Sequence, residues 1–353
     1  MKNTNKRKNI FWAIFFMLLN VGLLFYLISS DEDLQGDVSG AKDFNILILL
    51  GALLFMIAYI AIDIIKTYQM IKFFTGRREI LLSIKITVIG KYYDEITPLA
   101  TGGQPFQIYE LTKADISGVH ASGVILIKYF IYQAAFFLYG LLSLAAILIA
   151  GVQFTVPQYI LFIIALFINA LIPFTVYYLA VQNKSTSKLI SFFLRIGEKL
   201  KIVKNKEAAM EKVNNTVSEF SNAFNLLKND SKQVGKLIIL TLIEAGLYLS
   251  IPFVVYLSYN PAIVSDPAFL KIMIKYITMF IFIYFVMSIF PLPGGSGAAE
   301  FGFKWFLGSF FLSGSVSIAI ILWRGITYYM PIFVGFIVVI KDILKKFRFK
   351  ENS

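Results

Sequence analysis

The sequence predicts an all-α integral membrane protein: a polytopic helical bundle with two oppositely oriented re-entrant hairpins, arranged as an inverted repeat. Three observations predict it. The first is composition. Of 353 residues, 58% are hydrophobic and 15% charged, and mean hydropathy is +0.73. Soluble domains carry about 25% charged residues, and one aqueous core cannot hide this much apolar side chain, because surface grows too fast relative to volume. The second is a series of apolar runs of about 20 residues or more, the length that crosses the hydrocarbon of a bilayer. The third is charge asymmetry. The formal net charge is +12, and the positives gather at the N-terminus, in one long loop and at the C-terminus, as Lys and Arg do on a cytoplasmic face. That placement reads as membrane topology and not as a nucleic-acid surface.

The clear apolar runs fall at 10–29, 44–65, 121–150, 157–181, 234–259, 271–292 and 316–340. The first follows Lys2, Lys6, Arg7 and Lys8. It is longer than a signal-peptide core and no A-x-A site follows, so it is expected to remain as a span. Residues 31–43 are acidic, with Asp31, Glu32, Asp33, Asp37 and Asp43 against Lys42, and are expected outside. Residues 66–78 are basic and expected inside. The segment 182–236 holds 11 Lys and Arg against 5 acidic residues, and the tail 341–350 is basic. Both are expected inside, with N- and C-termini cytoplasmic.

Two stretches do not read as simple spans. Residues 80–99 are apolar but interrupted by Lys85, Lys91, Asp94 and Glu95, and residues 294–312 are short, glycine-rich and contain Glu300 and Lys304. Counting crossings between the oriented loops requires the region from 80 to 119 to start and finish inside. The region from 271 to 312 must start and finish outside. The first is expected to break near Thr97-Pro98 and the second at Pro291-Leu292-Pro293-Gly294-Gly295. Broken hairpins entering from opposite faces are the signature of inverted halves meeting near the midplane. Irregular backbone at that depth must be buried in protein or line a wet cavity.

The chain is expected to form a single transmembrane domain over 1–353, with a cytoplasmic amphipathic helical insertion at 182–236. Within that insertion Met210, Val213, Val217, Phe220, Phe224 and Leu227 repeat at three- and four-residue steps, one apolar helical stripe. Residues 187–203 mix Phe192, Phe193 and Leu194 with Arg195 and Lys199. An in-plane hairpin on an anionic membrane surface fits this pattern; the alternative is a solvated linker packed on itself.

Two clusters could carry chemistry. In TPLATGGQPFQIYE, residues 97–110, Gly102 and Gly103 allow close backbone approach. Amides at a half-helix start suit an anion such as phosphate, and Gln104, Gln107, Tyr109 and Glu110 add polar groups. In PLPGGSGAAE, residues 291–300, Gly294 and Gly295 again suggest a helix start opening onto a cavity. Glu300 is expensive at the depth of a span without a partner. Arg324, which interrupts an apolar run, is the natural partner, or the grip on a ligand phosphate. Glu244 and Lys128 also fall within spans, and Glu244 could bind a proton or cation or pair with Lys128. Asp63, Lys85, Lys271 and Lys275 lie close enough to span ends to snorkel and are assigned no role. The chain has no Cys, which excludes disulfides and thiolate metal sites. His120 is its one histidine, read as a polar residue near a helix start. No catalytic residue, metal site or cofactor is expected.

These clusters, together with WRGITYY at 323–329, resemble the flippase-like membrane family of the lysylphosphatidylglycerol synthase transmembrane region. In that family the first motif usually reads as Pro, a Gly-rich stretch and a Gly-Glu pair; here Glu110 follows Tyr109. The resemblance implies a bacterial cytoplasmic-membrane protein that moves lipids between leaflets and is not itself an enzyme. Family members with synthase activity add a soluble aminoacyl-transfer domain, which this chain is not expected to carry. The implied partners are membrane lipids: an anionic or aminoacylated phospholipid, or a glycolipid. Homo-oligomerisation is left open. No nucleotide-binding P-loop is present. The alternatives are a membrane transferase acting on a lipid-linked substrate, with Asp94 and Glu95 in acid–base work, and a non-transporting scaffold docking through 182–236.

Overall fold

The computed structural model describes residues 22, 44–181, 206–312 and 315–351. Regular structure in these residues is entirely helical. The long helices are α1 (Ile46–Thr75), α2 (Ile80–Ile96), α3 (Gly103–Lys113), α4 (Gly118–Ala150), α5 (Val156–Val181), α6 (Lys206–Lys228), α7 (Ser231–Tyr259), α8 (Phe269–Ser288), α9 (Ala298–Leu307), α10 (Ser315–Arg324) and α11 (Met330–Glu351). Six segments are long and apolar enough to cross a membrane: α1, α4, α5, α7, α8 and the α10–α11 rod. They coincide with every expected span but the first. Residues 10–29 and 187–203 lie outside the described residues.

The helix ends follow from local chemistry. Asn45 caps α1, its side chain accepting from the Leu47 and Ile48 amides at 3.0 and 3.3 Å, which satisfies donors that a helix start leaves open. Gly76, at φ 71°, ends it in a left-handed cap. Ser117 caps α4 through the His120 amide, so His120 sits in a first turn, as expected. The expected span 44–65 is ten residues too short at its C-terminal end: α1 continues to Thr75. Residues 66–75 are therefore helix and not loop.

α1 packs most extensively on α7, α2 on α11 and α3, α4 on α6 and α8, and α8 on α9. Along α1, α4 and α7 the buried residues fall into three layers. One apolar layer joins Met70, Ile71 and Phe74 to Val124, Ile125, Leu237, Ala223 and Leu227. The larger, aromatic layer includes Met56, Phe136, Phe162, Leu249, Phe280, Phe282 and Trp323, with Phe162 and Phe282 stacked at 3.5 Å between centroids. Between them lies a layer of buried charge. At the C-terminal end of α6, Ala223 and Leu227 pack into the first layer while Phe130 and Phe224 meet edge to face. Phe224 and Leu227 of the expected stripe are thus seated on the bundle.

Both expected breaks are present. α2 ends at Ile96 and turns through Pro98–Ala100 into α3; α8 ends at Ser288 and turns through Pro293–Gly295 toward α9. The turns share one backbone. Thr97 and Leu292 are extended (φ/ψ −113/145° and −106/147°). Leu99 and Gly294 are left-handed (55/24° and 58/18°), and Ala100 and Gly295 follow at φ 51° and 61°. The Ala100 and Gly295 amides donate to the Thr97 and Leu292 carbonyls, and those of Thr101 and Ser296 to Pro98 and Pro293. The two turns pack against each other.

Candidate functional site

The site is built on these two turns and the buried charge beside them. In the second turn, Glu300 lies in the first turn of α9 and accepts the Gly297 N–H at 2.6 Å, closing the helix start on itself. Its other oxygen accepts from Arg324 Nε at 2.8 Å. Arg324 also donates to the Gly294 carbonyl at 2.9 Å and the Ser296 hydroxyl at 3.0 Å, and lies 4.2 Å over the Tyr328 ring. Arg324 is 2% and Glu300 6% exposed. Thus the expected pair forms, and the guanidinium ties the whole turn together. The span expected at 316–340 is interrupted immediately afterwards by a π-helical turn at Gly325–Tyr329, a local widening that is frequent at functional sites. It brings Tyr328 against Gly294, where no Cβ would fit, and its hydroxyl toward the Glu95 carbonyl at 3.4 Å. This contact links the two turns.

In the first turn, the amides expected to face an anion are held by the chain's own side chains. The Gly102 N–H donates to Thr97 Oγ1 at 2.8 Å and the Gly103 N–H to Asp94 Oδ1 at 3.0 Å. Asp94 packs so closely on Gly103 that a side chain there would collide with it. Gln107 is buried and donates to the Ile86 carbonyl at 3.1 Å, pinning α3 to α2. Gln104 is half-buried, and Tyr109 is 53% exposed. Glu110 accepts from Lys85 at 2.8 Å and Lys113 at 3.4 Å, and Lys85 reaches Asp342 of α11 at 2.5 Å. Lys85, read from sequence as a free snorkelling residue, therefore joins α2, α3 and α11. The Pro98–Ala100 and Pro293–Gly295 turns meet at the seam; Gly102 and Gly103 pack against Thr97 and Asp94 of their own unit, and Tyr109 and Glu110 belong to the far end of α3.

Sequence reasoning missed most of the charged layer. Asp63, assigned no role because it seemed to lie at a span end, is 7% exposed and accepts from Lys128 at 3.0 Å and Lys91 at 3.3 Å. Glu244 pairs with Lys66, not with Lys128; both are 1% exposed. Lys66 was hidden because residue 66 was taken as loop. Thr241 accepts from Lys66 at 3.3 Å, Thr67 accepts from Lys128 at 2.8 Å, and Thr67 meets Thr87 at 3.1 Å. Lys91 sits 3.9 Å over the Tyr59 ring, and Tyr59 and Tyr132 share a hydrogen bond at 3.2 Å. The three-residue step from Asp63 to Lys66, with Lys128 and Glu244 on other apolar helices, is the signal that could have flagged it.

Comparison with known proteins agrees with this architecture. A UPF0104 membrane protein of Archaeoglobus fulgidus is 24% identical over 318 residues, covering 88% of this chain and 91% of that protein. No solved structure matches. Residues 10–335 match the family described as the lysylphosphatidylglycerol synthase TM region. With six apolar spans and this match across nearly the whole chain, the protein is a multi-pass membrane protein that belongs to the family of the lysylphosphatidylglycerol synthase transmembrane region.

Proposed function

We propose that the chain is a lipid translocase whose polar path lies along the seam between the two turns. The observation that carries this reading is the matched Pro–left-handed–left-handed backbone of the turns and their contact with each other. Two helix–turn–helix units of one backbone geometry, meeting tip to tip, are what two inverted halves entering from opposite faces would produce. Such tips lay polar backbone and charge beside apolar helices. A phospholipid or glycolipid headgroup needs that, while its acyl chains need the outward apolar faces, where Leu47, Leu54, Phe167 and Phe301 are exposed. Because the turn amides are capped internally, a headgroup phosphate would engage Arg324 or a lysine of the charged layer by displacing a carboxylate partner.

The test is lipid movement in proteoliposomes carrying fluorescent phospholipids and glycolipids. Wild type is expected to move at least one class faster than empty vesicles. Arg324→Ala and Glu300→Gln are expected to slow it at least about tenfold, the effect of about 1.4 kcal/mol on a barrier. A covalently altered lipid would instead support a transferase. Rates equal to empty vesicles for every lipid would overturn the translocase reading.

A further inference from the structure

The charges buried around the two turns do not cancel, and the remainder falls on one side chain. Lys66 pairs with Glu244, Lys128 with Asp63 and Arg324 with Glu300. Lys91 reaches Asp63 and lies in the field of Asp94, whose oxygen also holds the Gly103 amide. Glu95 is left over. It is half-buried in the last turn of α2, and among the described residues its carboxylate has neither an ion pair nor a hydrogen bond. The groups whose fields reach it are Arg324 from α10, Asp94 and Lys91 on its own helix, Tyr248 from α7 and Tyr328 from the π turn, with Glu300 paired to Arg324.

Partial burial without a partner disfavours the charged form of a carboxylate, and such a group tends to take up a proton. A divalent metal would need several oxygen ligands, whereas Glu95 offers one carboxylate beside two phenols. We propose that Glu95 is a proton-binding site that switches the seam between the turns. With the proton bound to its carboxylate, Arg324 stays on Glu300, the Gly294 carbonyl and the Ser296 hydroxyl. When the proton leaves to water, the Glu95 carboxylate competes for the same guanidinium and loosens its hold on the second turn. Tyr328 donates to the Glu95 backbone carbonyl, so a shift of the last turn of α2 as its carboxylate moves toward Arg324 is passed to the π turn. The proton site rests on the partial burial of Glu95 and its lack of a hydrogen bond or ion pair among the described residues; what the switch drives rests on the translocation reading.

The experiment is an infrared pH titration of purified wild type, Glu95→Gln and Glu95→Asp, with lipid movement in proteoliposomes between about pH 5 and about pH 9 as a second readout. Wild type is expected to show a carboxylic-acid band that titrates, absent from Glu95→Gln and shifted in midpoint in Glu95→Asp. Its lipid movement is expected to change at least about fivefold across the range, against a flat profile for Glu95→Gln. A titration in Glu95→Gln identical to wild type overturns the proposal. So does an unmoved midpoint in Glu95→Asp, which decides the matter if Glu95→Gln does not fold, or a response to sodium at fixed pH in place of protons. A titrating Glu95 band without lipid movement at any pH leaves the proton site standing and removes the translocase reading.

Discussion

At the scale of single residues, the two turns show the same backbone held by different means. Gly294 and Gly295 adopt left-handed angles without steric cost, whereas Leu99 and Ala100 carry a Cβ into them, at roughly 1–2 kcal/mol per residue. Against that stands the extra chain entropy of glycine, about 0.5–1 kcal/mol. Leu99→Gly and Ala100→Gly are therefore each expected to stabilise the fold by about 0.5–1 kcal/mol, seen as a higher midpoint in thermal unfolding in detergent. Gly294→Ala is expected to do the reverse, because its Cβ would enter the Tyr328 ring. The Pro and Gly residues made both breaks legible in the sequence; the strain at Leu99 was not, since nothing about Leu announces a positive φ. Arg324 gives a second prediction. Its fork spans a carboxylate, a carbonyl and a hydroxyl at once, a reach that an ammonium lacks. Arg324→Lys is expected to lose stability nearly as Arg324→Ala does, about 3–5 kcal/mol for a buried charge left alone. Near-wild-type unfolding of Arg324→Lys would show that the fork is not what holds the turn.

At the scale of elements, the polar layer decides how α1, α2, α4 and α7 register against one another. Each helix runs from one apolar layer through a charged position into the next: Phe74, Met70, Lys66, Asp63 and Met56 on α1, and Leu237, Thr241, Glu244 and Leu249 on α7. A one-turn slip of α7 against α1 would set Glu244 against Met70 in one direction and Asp63 in the other. Removing one partner leaves the other charge uncompensated, while removing both leaves a fillable apolar site. Lys66→Met and Glu244→Leu are each expected to cost about 3–5 kcal/mol, and the double variant to recover most of it. Additive losses in that double-mutant cycle would show that the two side chains do not act as a pair. The amphipathic period of α6 was legible because a stripe is a property of one segment. The charged layer was not, for two reasons. Each charge finds its partner on another helix, and moving the end of α1 by ten residues turns Lys66 from a loop cation into a buried one.

At the scale of the whole molecule, spans and breaks came from hydropathy and proline, but the contact between the turns needed the packed bundle. No local pattern states that residues near 98 meet residues near 293. What makes the arrangement testable is the absence of cysteine from the sequence. Arg78 follows α1 and Asp266 precedes α8, both exposed, and the positive-inside bias predicts that they lie on opposite sides of the membrane. Arg78→Cys is expected to react with an impermeant thiol reagent only from the cytoplasmic face and Asp266→Cys only from the other. Thr101→Cys and Leu292→Cys lie in the turns themselves. If both units dip inward and touch, neither cysteine is open to bulk water, and each should react far more slowly than the loop cysteine on its own side. An inverted arrangement would also fix direction: Thr101→Cys should gain reactivity from the cytoplasmic side and Leu292→Cys from the outer side when lipid is moving. If all four positions react at the same rate, the turns are ordinary aqueous loops, and Arg324 with Glu300 pins two helices without bordering any path for a headgroup.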